Sequence, residues 1–427
     1  MLINGGSRQN RGGGLFDKTE TVLIFLRAPG LYFALFSRGR CFAPAVCKVR
    51  ESFEMSFKKT DILYSSIILA YLAAHYYIVR HISCGLALYG WKFIILSVFV
   101  FGLGIISVLS LIALRFPFSA VNWTHFPGSF WMGVFAVNFI CFLANDALNF
   151  FIKTEGFRLH STLAVMAAAG ILCLWSFVNA AFILRVKKIY LGVSGLKTEK
   201  FRIAFISDIH INRHTPFKNI NKIVNKINFI KPDIIIIGGD LADADITESY
   251  SLYGLDGLSA AYGLFAVTGN HEYHLGIEKY DILCKKLGIR LLRNENVSVG
   301  GIITLAGIND DFGEKTGVDR SDIKKTLENA DPALPVILIS HKPGNFKEAV
   351  RESGGMRIIQ LSGHTHAGQV PPMGIIGSAF FRYYYGRRLK EDSIVYITSG
   401  AGWWGPPMRL FNMSEIAEVI LYRKRAD

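Results

Sequence analysis

Two histidines stand one residue apart in the stretch IQLSGHTHAGQV, at the point where an apolar run ends. On an extended segment the side chains at positions i and i+2 point to the same side, so His364 and His366 would present two imidazoles to one spot. Imidazole nitrogen is the commonest metal ligand in proteins. The spacing therefore predicts a metal site at the end of this run.

Residues able to bind metals also end four other strand-like apolar runs. FRIAFISDIHI ends in Asp208 and His210, PDIIIIGGDLAD ends in Asp240, GLFAVTGNHEY runs into Asn270, His271 and Glu272, and PVILISHKP ends in His341. Taken singly, each residue has a structural alternative, such as a helix cap for either aspartate or a turn for the asparagine. Together they favour one site, because sheet folds gather functional residues at strand ends.

In order and spacing, the segments DIH, GGDLAD, GNHE, SH and GHTHAGQ resemble the five-block signature of the calcineurin-like metallophosphoesterases. The resemblance covers roughly residues 186–427. The closing segment SGAGWWGPPMRLFNMSEIAEVIL is similar to the membrane-associated bacterial branch, which includes exported phosphoesterases and enzymes that cleave UDP-2,3-diacylglucosamine. The resemblance implies a four-layer α/β fold, in which two mixed β-sheets pack face to face with helices outside.

The family's ligand pattern, carried onto the matching positions, implies two divalent metal ions, of manganese, iron or zinc. One ion would be held by Asp208, His210, Asp240 and His366, and the other by Asp240, Asn270, His341 and His364. Asp240 would bridge, because a carboxylate can share its oxygens between two cations. The implied chemistry is two-metal hydrolysis, in which the ions lower the pKa of a shared water and hold the phosphoryl oxygens for in-line attack.

The resemblance also implies roles for residues that are not ligands. His271 would be catalytic, stabilising charge on the transferring phosphoryl group or protonating the leaving oxygen. Asp243 and Glu272 would orient ligand histidines or loops, with structural caps as the alternative. In many relatives an arginine follows the aspartate that corresponds to Asp243, but here Ala244 follows it. The residue that would make one of the phosphate contacts is therefore not identified. Arg409 could support a ligand, meet a phosphate or the polar head of the substrate, or form a structural ion pair.

The chain that carries these residues must also contain a membrane part. The chain has 427 residues, 51% of them hydrophobic, so it is too long for one domain and too apolar for an ordinary soluble enzyme. Four runs are long and apolar enough to cross a bilayer, which takes about 20 residues. They are residues 62–79, 93–114, 129–152 and 161–184. Buried helices of a large soluble protein are the alternative.

These runs predict three parts of the chain. Residues 1–54 would be a poorly structured extension, and because Met55 opens an ordinary membrane-protein start, this extension could come from a misassigned start codon. Residues 55–185 would form the four-helix transmembrane domain, and residues 186–427 the phosphoesterase domain. Asp146, inside the third run, is a functional candidate by its position, unless it lies near the interface or pairs within the bundle.

Charge limits the partners and the location. The formal net charge is +14, but the basic residues are scattered rather than interleaved with aromatics on one element, which argues against nucleic acid as a partner. Lysines and arginines near the spans favour a multi-pass plasma (inner) membrane protein whose catalytic domain faces the cytoplasm. An extracytoplasmic domain stays open, because some relatives act outside. Only Cys284 of the six cysteines follows residue 185, so no disulfide framework is expected there.

Residues 370–390 combine apolar and aromatic side chains with a basic rim. Such a loop would suit a lipid surface or a substrate with acyl chains and an anionic head, and core packing at a sheet edge is the alternative.

The predicted function is a membrane-anchored phosphoesterase that hydrolyses a phosphodiester, phosphomonoester or pyrophosphate bond. Its partners would be the lipid bilayer and a phosphorylated substrate, lipid-linked or from the envelope, such as UDP-2,3-diacylglucosamine, since tethering raises the effective concentration near lipid. The alternative is a multipass sensor or transport component whose metal domain binds phosphorylated ligands without turnover.

Overall fold

A computed structural model describes the backbone of residues 26–28, 31–33, 44–115, 123–152, 157–212, 215–243 and 250–424. The short strands β1 (Leu26–Ala28) and β2 (Leu31–Phe33) pair antiparallel near the start of the chain. Most of the predicted extension over residues 1–54 lies outside the described ranges, as does Ala244. The extension and its start codon therefore stay predictions.

In the part of the chain that the structure describes, four helices are long and apolar enough to cross a membrane. They are α1 (Pro44–Gly85), α2 (Trp91–Arg115), α3 (His125–Phe151) and α4 (Phe157–Phe182). Within them, the stretches with membrane-like length and hydropathy are Ser65–Gly85, Trp91–Leu111, His125–Phe151 and Phe157–Phe182. These correspond to the four predicted runs.

Asp146 of α3 pairs inside the helical bundle. Tyr77 Oη donates a 2.5 Å hydrogen bond to Asp146 Oδ2, and His81 Nε2 lies 3.2 Å from the same oxygen. The acid thus follows the pairing alternative, in which partners from another span offset the cost of a carboxylate at membrane depth.

The rest of the chain alternates strands and short helices. The remaining strands are β3 (Leu184–Val193), β4 (Lys200–Ile206), β5 (Ile234–Ile237), β6 (Leu264–Ala266), β7 (Ile289–Leu291), β8 (Glu295–Val299), β9 (Ile303–Gly307), β10 (Val336–Ile339), β11 (Ile358–Ser362), β12 (Gly386–Lys390), β13 (Ser393–Ile397) and β14 (Ser414–Arg423). The remaining α-helices are α5 (Phe217–Ile230), α6 (Asn270–Leu275), α7 (Ile277–Lys286), α8 (Phe312–Thr316), α9 (Ile323–Leu327), α10 (Phe346–Glu352) and α11 (Met373–Phe380).

Within the described ranges, strands β3 to β14 form two six-stranded mixed sheets. The first has the order β3-β14-β4-β5-β6-β7, in which β4 to β7 run parallel and β14 runs antiparallel to β4. The second has the order β12-β13-β11-β10-β9-β8, in which the four inner strands run parallel and both edge strands run antiparallel. All four isoleucines of β5 are buried, as expected for a strand covered on both faces.

The two sheets pack face to face around one apolar core. Ile203 and Phe205 of the first sheet share this core with Leu305 and Ile337 of the second. On the outer face of the first sheet, alternate residues such as Ile206 pack against α5 and α7, and α9 and α10 cover the outer face of the second sheet. The predicted four-layer α/β fold, preceded by apolar helices, is confirmed.

The last apolar helix runs almost directly into the first sheet. Helix α4 ends at Phe182, and Ile183 alone precedes the start of β3 at Leu184. Lys222 of α5 donates a hydrogen bond of 2.5 Å from its Nζ to the carbonyl oxygen of Phe182. The junction is therefore short and is held by a contact from the sheet's own helix layer.

Candidate metal centre

The predicted ligands follow the carboxyl ends of parallel strands in both sheets. Strand β4 leads to Asp208 and His210, β5 to Asp240, β6 to Asn270, β10 to His341, and β11 to His364 and His366. Both sheets therefore contribute to one cluster of side chains, although as many as 158 residues of sequence separate its members.

One group of ligand atoms comes from Asp208, His210 and His366, whose atoms lie within 4.8 Å of one another. The Nε2 atoms of His210 and His366 are 3.1 Å apart. His366 Nε2 is 3.5 Å from Asp208 Oδ1. The three side chains thus aim one nitrogen or oxygen each at a common point.

A second group comes from Asp240, His341 and His364. His341 Nε2 lies 3.2 Å from Asp240 Oδ2 and 3.3 Å from His364 Nδ1. Asp240 Oδ2 is also 3.7 Å from His210 Nε2, in the first group. Asp240 therefore stands between the two groups, which is the position that its predicted bridging role requires.

The spacing of these atoms fits metal coordination. Metal–nitrogen bonds of about 2.1 Å separate two ligands on one ion by about 3.0 to 3.4 Å, depending on the coordination angle. The separations within the two groups, from 3.1 to 3.5 Å, lie inside this range or just above it. Imidazole with carboxylate suits manganese, iron and zinc alike.

Asn270 supplies an independent sign of a cation. Its Oδ1 is buried and has no hydrogen-bond partner among the described residues. An unpaired buried polar atom costs about 1–3 kcal/mol, so such an oxygen calls for a partner. The next residue's backbone amide donates a 3.0 Å hydrogen bond to Asp240 Oδ1, which keeps Asn270 beside the second group.

The backbone at the ligands is left-handed rather than extended. Asp208, His210, Asp240, His364 and His366 have φ values of 55°, 52°, 49°, 72° and 49°. Non-glycine residues avoid this region, at a cost of about 1–3 kcal/mol each, and surrounding structure must hold them there.

The expectation that His364 and His366 face one spot on an extended segment is therefore wrong. Strand β11 ends at Ser362, and the chain turns before the first histidine. His364 turns its Nδ1 toward His341, whereas His366 turns its Nε2 toward His210. The amide of His364 donates a 2.9 Å hydrogen bond to Asp208 Oδ1, which holds this turn. The two imidazoles serve different groups.

Protonation of the histidines follows from burial and from their neighbours. Burial, reinforced by His341, lowers the pKa of His364 to about 3. Burial and His210 hold the pKa of His366 well below its usual value. Both imidazoles are thus neutral at neutral pH, which metal ligation requires. Burial opposes a charge on His341, but the Asp240 carboxylate outweighs burial and raises the pKa of His341 to about 10.

The carboxylates of the two groups behave differently. Burial raises the pKa of Asp208 above its usual value. Burial acts the same way on Asp240, but His341 and two further histidines outweigh it and hold the pKa of Asp240 well below the usual range. Of these two carboxylates, the one at the shared position is therefore the one whose pKa is lowered.

Asp243 contacts both His210 and His271. Its Oδ1 accepts from His210 Nδ1 at 2.9 Å and from His271 Nδ1 at 2.8 Å. His271 then turns its Nε2 toward the groups, 4.0 Å from Asp240 Oδ2. Burial lowers the pKa of His271, but its hydrogen bond to Asp243 and the charge of Asp240 together raise it to about 9. Asp243 thus orients a ligand and the predicted catalytic residue at once, as expected for an orienting role.

Glu272 fixes the loop that carries Asp240. Its carboxylate accepts hydrogen bonds from the amides of Asp240 and Leu241, both at 2.9 Å, and of Gly269 at 2.6 Å. The hydrogen bond to Gly269 also caps the start of α6. The contacts of Glu272 are therefore compatible with both predicted alternatives, an orienting residue and a structural cap. A Cβ on Gly269 would lie 2.2 Å from Asp240 Oδ1, which is why only glycine fits there.

Arg409 lies behind His366 and is fully buried. Its Nη2 donates to the carbonyl oxygen of Ser399 at 2.7 Å and lies 3.4 Å from His366 Nδ1, on the side opposite the nitrogen that faces His210. Burial lowers the pKa of Arg409 to about 10, so it stays charged at neutral pH. This position behind His366 fits a residue that supports a ligand histidine, which is one of the roles predicted for Arg409.

Helix α4 contacts this same segment, and the sequence patterns did not predict this contact. Asn179 Nδ2 donates 2.8 Å to the carbonyl oxygen of Arg409, and the amide of Arg409 donates 2.8 Å to the carbonyl oxygen of Ser176. Trp175 Nε1 donates 3.3 Å to the carbonyl oxygen of Leu410. The available signal was a lone amide, Asn179, close to the end of an apolar run.

The segment of residues 370–390 divides between the two predicted alternatives. Tyr383 is buried and packs edge-on against Phe346, as core packing predicts. Ile375 and Phe380 of α11 are 68% and 82% exposed, and the Phe381 ring lies 5.9 Å from that of His364. An exposed apolar helix thus stands beside the second ligand group.

Comparison with known protein families gives one matching model, described as calcineurin-like phosphoesterase, over residues 201–368. This range contains the seven predicted metal ligands. The blocks that carry the ligands therefore belong to the matched region.

Several relatives resemble longer parts of the chain. An uncharacterized metallophosphoesterase of Helicobacter pylori is 36% identical over 53% of this chain, and the match spans 61% of that relative's length. One from Campylobacter jejuni is 28% identical over 84% of this chain and 98% of its own. A transmembrane protein with metallophosphoesterase domain from Bos taurus is 31% identical over 67% of this chain and 68% of its own.

Proposed function

This chain belongs to the calcineurin-like metallophosphoesterase family, and from that premise we propose that it is a metal-dependent phosphoric ester hydrolase held at a membrane. The observation that carries the proposal is the position of Asp240 Oδ2, within 3.7 Å of ligand nitrogens from both groups. A shared carboxylate between two histidine-rich groups is what two-metal hydrolysis needs.

Seven residues would hold the two ions. Asp208, His210 and His366 with Asp240 form one site, and Asp240, Asn270, His341 and His364 form the other. When bound, two divalent cations supply Lewis-acid stabilisation of the phosphoryl oxygens and a nucleophilic water at neutral pH.

His271 would act on the substrate itself. Its Nδ1 is engaged by Asp243, so the proton on Nε2 is the one that faces the ligand groups. With a pKa of about 9, the imidazole is charged near neutral pH. It can therefore stabilise negative charge on the phosphoryl group or donate a proton to the leaving oxygen.

The substrate would be a phosphodiester, phosphomonoester or pyrophosphate linked to a lipid or to the envelope. The four membrane-length helices and the exposed apolar residues of α11 support a substrate at the bilayer surface. UDP-2,3-diacylglucosamine combines the required phosphoester chemistry with acyl chains, and it is the specific substrate that we propose.

We also propose the topology predicted from the sequence. Residues 55–185 would anchor the chain in the plasma membrane, and residues 186–427 would form the catalytic domain on the cytoplasmic side. The excess of lysine and arginine flanking that side supports this orientation. Protease treatment of spheroplasts tests it, because cleavage of the domain in intact spheroplasts would place it outside.

The full chain, reconstituted in nanodiscs and loaded with manganese, tests the activity. We expect release of p-nitrophenol from bis-p-nitrophenyl phosphate, and its loss in Asp240→Ala. Two bound metals without turnover on this ester or on UDP-2,3-diacylglucosamine would contradict the hydrolase and favour a protein that binds phosphorylated ligands.

A further inference from the structure

A cavity of about 260 Å³ lies where the membrane helices meet the catalytic domain. The start of α3, the end of α4, the start of α5 and residues 401–407 enclose it. His210, whose Nε2 faces the first ligand group, forms part of the wall. The cavity thus touches both the ends of two apolar helices and a predicted metal ligand.

Much of the wall is apolar. Side chains of the helix ends, including Phe126, Phe177 and Ala181, line the cavity together with Ile209 and Ile223 of the domain. Phe126 and Phe182 at the helix ends are largely exposed, so this part of the wall lies where helix ends meet the bilayer interface.

The wall also contains basic residues. Lys218 and Lys222 of α5 line the cavity, and the Nζ of Lys222 donates to the carbonyl oxygen of Phe182 at the end of α4. Basic residues beside an apolar chamber complement a ligand that has an anionic group at one end and a hydrocarbon chain at the other.

We propose that this cavity binds the hydrocarbon chain of the substrate, so that the substrate is a phosphoester carrying an alkyl or acyl chain. The inference rests on the proposed hydrolase function and deepens it, because it assigns the chain a binding site next to the ligand His210. A cavity of about 150 Å³ holds benzene, so one of this size suits a chain of about ten carbons.

The test uses the full chain in nanodiscs with manganese and a series of p-nitrophenyl alkyl phosphodiesters, from methyl to hexadecyl. In each reaction water adds to phosphorus, the bond from phosphorus to the nitrophenyl oxygen breaks, and the alkyl monoester remains. Each buried methylene favours binding, so kcat/KM should rise at least about tenfold from methyl to decyl and then level off.

Two variants and a control locate this preference. Ala181→Phe fills the cavity and should lower the decyl-to-methyl ratio of kcat/KM about tenfold. Phe177→Ala enlarges it and should move the optimum to longer chains. Ala168→Phe adds the same ring at an exposed position of the same helix, outside the cavity wall, and should leave the ratio as in the wild type.

The outcomes separate the two proposals. Turnover of every ester without a chain-length preference, or a preference that Ala181→Phe does not reduce, overturns the chain site and leaves the hydrolase in place. A second result would also overturn the chain site. In that result, turnover does not depend on chain length, and a phospholipid copurifies with the wild type but not with Ala181→Phe. The cavity would then bind a bilayer lipid. No release from any ester overturns the hydrolase and the chain site together.

Discussion

The side-chain amide of Asn179 donates a 2.8 Å hydrogen bond to the backbone carbonyl oxygen of Arg409. Asn179 belongs to a membrane-length helix, and the guanidinium of Arg409 contacts the imidazole of His366. A membrane-length helix is thus connected to a predicted metal ligand through one intermediate residue, Arg409. The contact joins the two parts of the chain at the place where the chemistry would occur.

Asn179→Ala should weaken this support for His366. The carbonyl oxygen of Arg409 would lose a buried donor, a loss worth about 1–3 kcal/mol, and the segment behind His366 would move. We expect manganese affinity to fall about tenfold, as measured by calorimetry on the reconstituted protein. Asn138→Ala is the matched control, because Asn138 Nδ2 bonds to the carbonyl oxygen of Val134 in its own helix. Equal losses in both variants would mean a general effect on the bundle.

Substitutions of Asp240 and of His271 should have different effects on metal retention and on turnover. Asp240→Ala removes the carboxylate shared by both groups, so both metals should be lost. His271→Gln removes the proton donor but no ligand, so two metals should remain while kcat falls about 10²- to 10⁴-fold. Elemental analysis and kcat, measured on the same samples, check both statements. Similar metal loss in the two variants would contradict these roles.

Gly269→Ala should disturb the site through the backbone. The added methyl group would meet Asp240 Oδ1 at 2.2 Å, and overpacking of this kind costs about 1–3 kcal/mol. We expect a lower midpoint of thermal unfolding together with reduced metal content. Gly344→Ala is the control, since a methyl group there has no heavy atom within 4 Å among the described residues and Gly344 has no positive φ. A Gly269→Ala protein with normal metal content would refute this packing constraint.

Glu415 should make the domain sensitive to acid. Burial opposes ionisation, but the hydrogen bonds from Tyr396 and Arg185 outweigh it and hold the pKa of Glu415 below its usual value. A depressed pKa stabilises the folded state above the unfolded pKa, about 4.3, and this contribution is lost as the pH falls through the folded value. Glu415→Gln should therefore be less stable than the wild type at pH 7, and the gap should narrow below about pH 4. Urea unfolding at both pH values measures it, and a constant gap would disprove the linkage.

The motifs at the strand ends made the fold predictable through their resemblance to a known family, and they indicated which side chains would lie close together. Runs such as those before Asp208 and Asp240 combine buried β-type residues with an acid at the carboxyl end, and this pattern survives without knowledge of the tertiary structure. The same local reasoning failed at His364 and His366, because it assumed that the strand continued through them. The left-handed backbone there is stabilised by contacts to residues such as Asp208, 156 positions away.

Arg409 shows a second limit of local reasoning. Its neighbours in GPPMRLFN do not indicate burial, but its guanidinium is enclosed by Ser399, Gly402 and His366 and its backbone is bonded to α4. Asn179 lies 230 positions away, so no window of sequence contains both partners. Burial of a charged side chain by such distant contacts cannot be read from spacing alone.

The single residue between α4 and β3 determines where this domain can search for a substrate. Because Ile183 is the whole connection, no flexible linker lets the domain move away from the end of α4. Encounters would then depend on lateral diffusion and on how densely a substrate covers the surface, rather than on its bulk concentration. Crowding of the bilayer, more than supply from solution, would set the pace of such an enzyme.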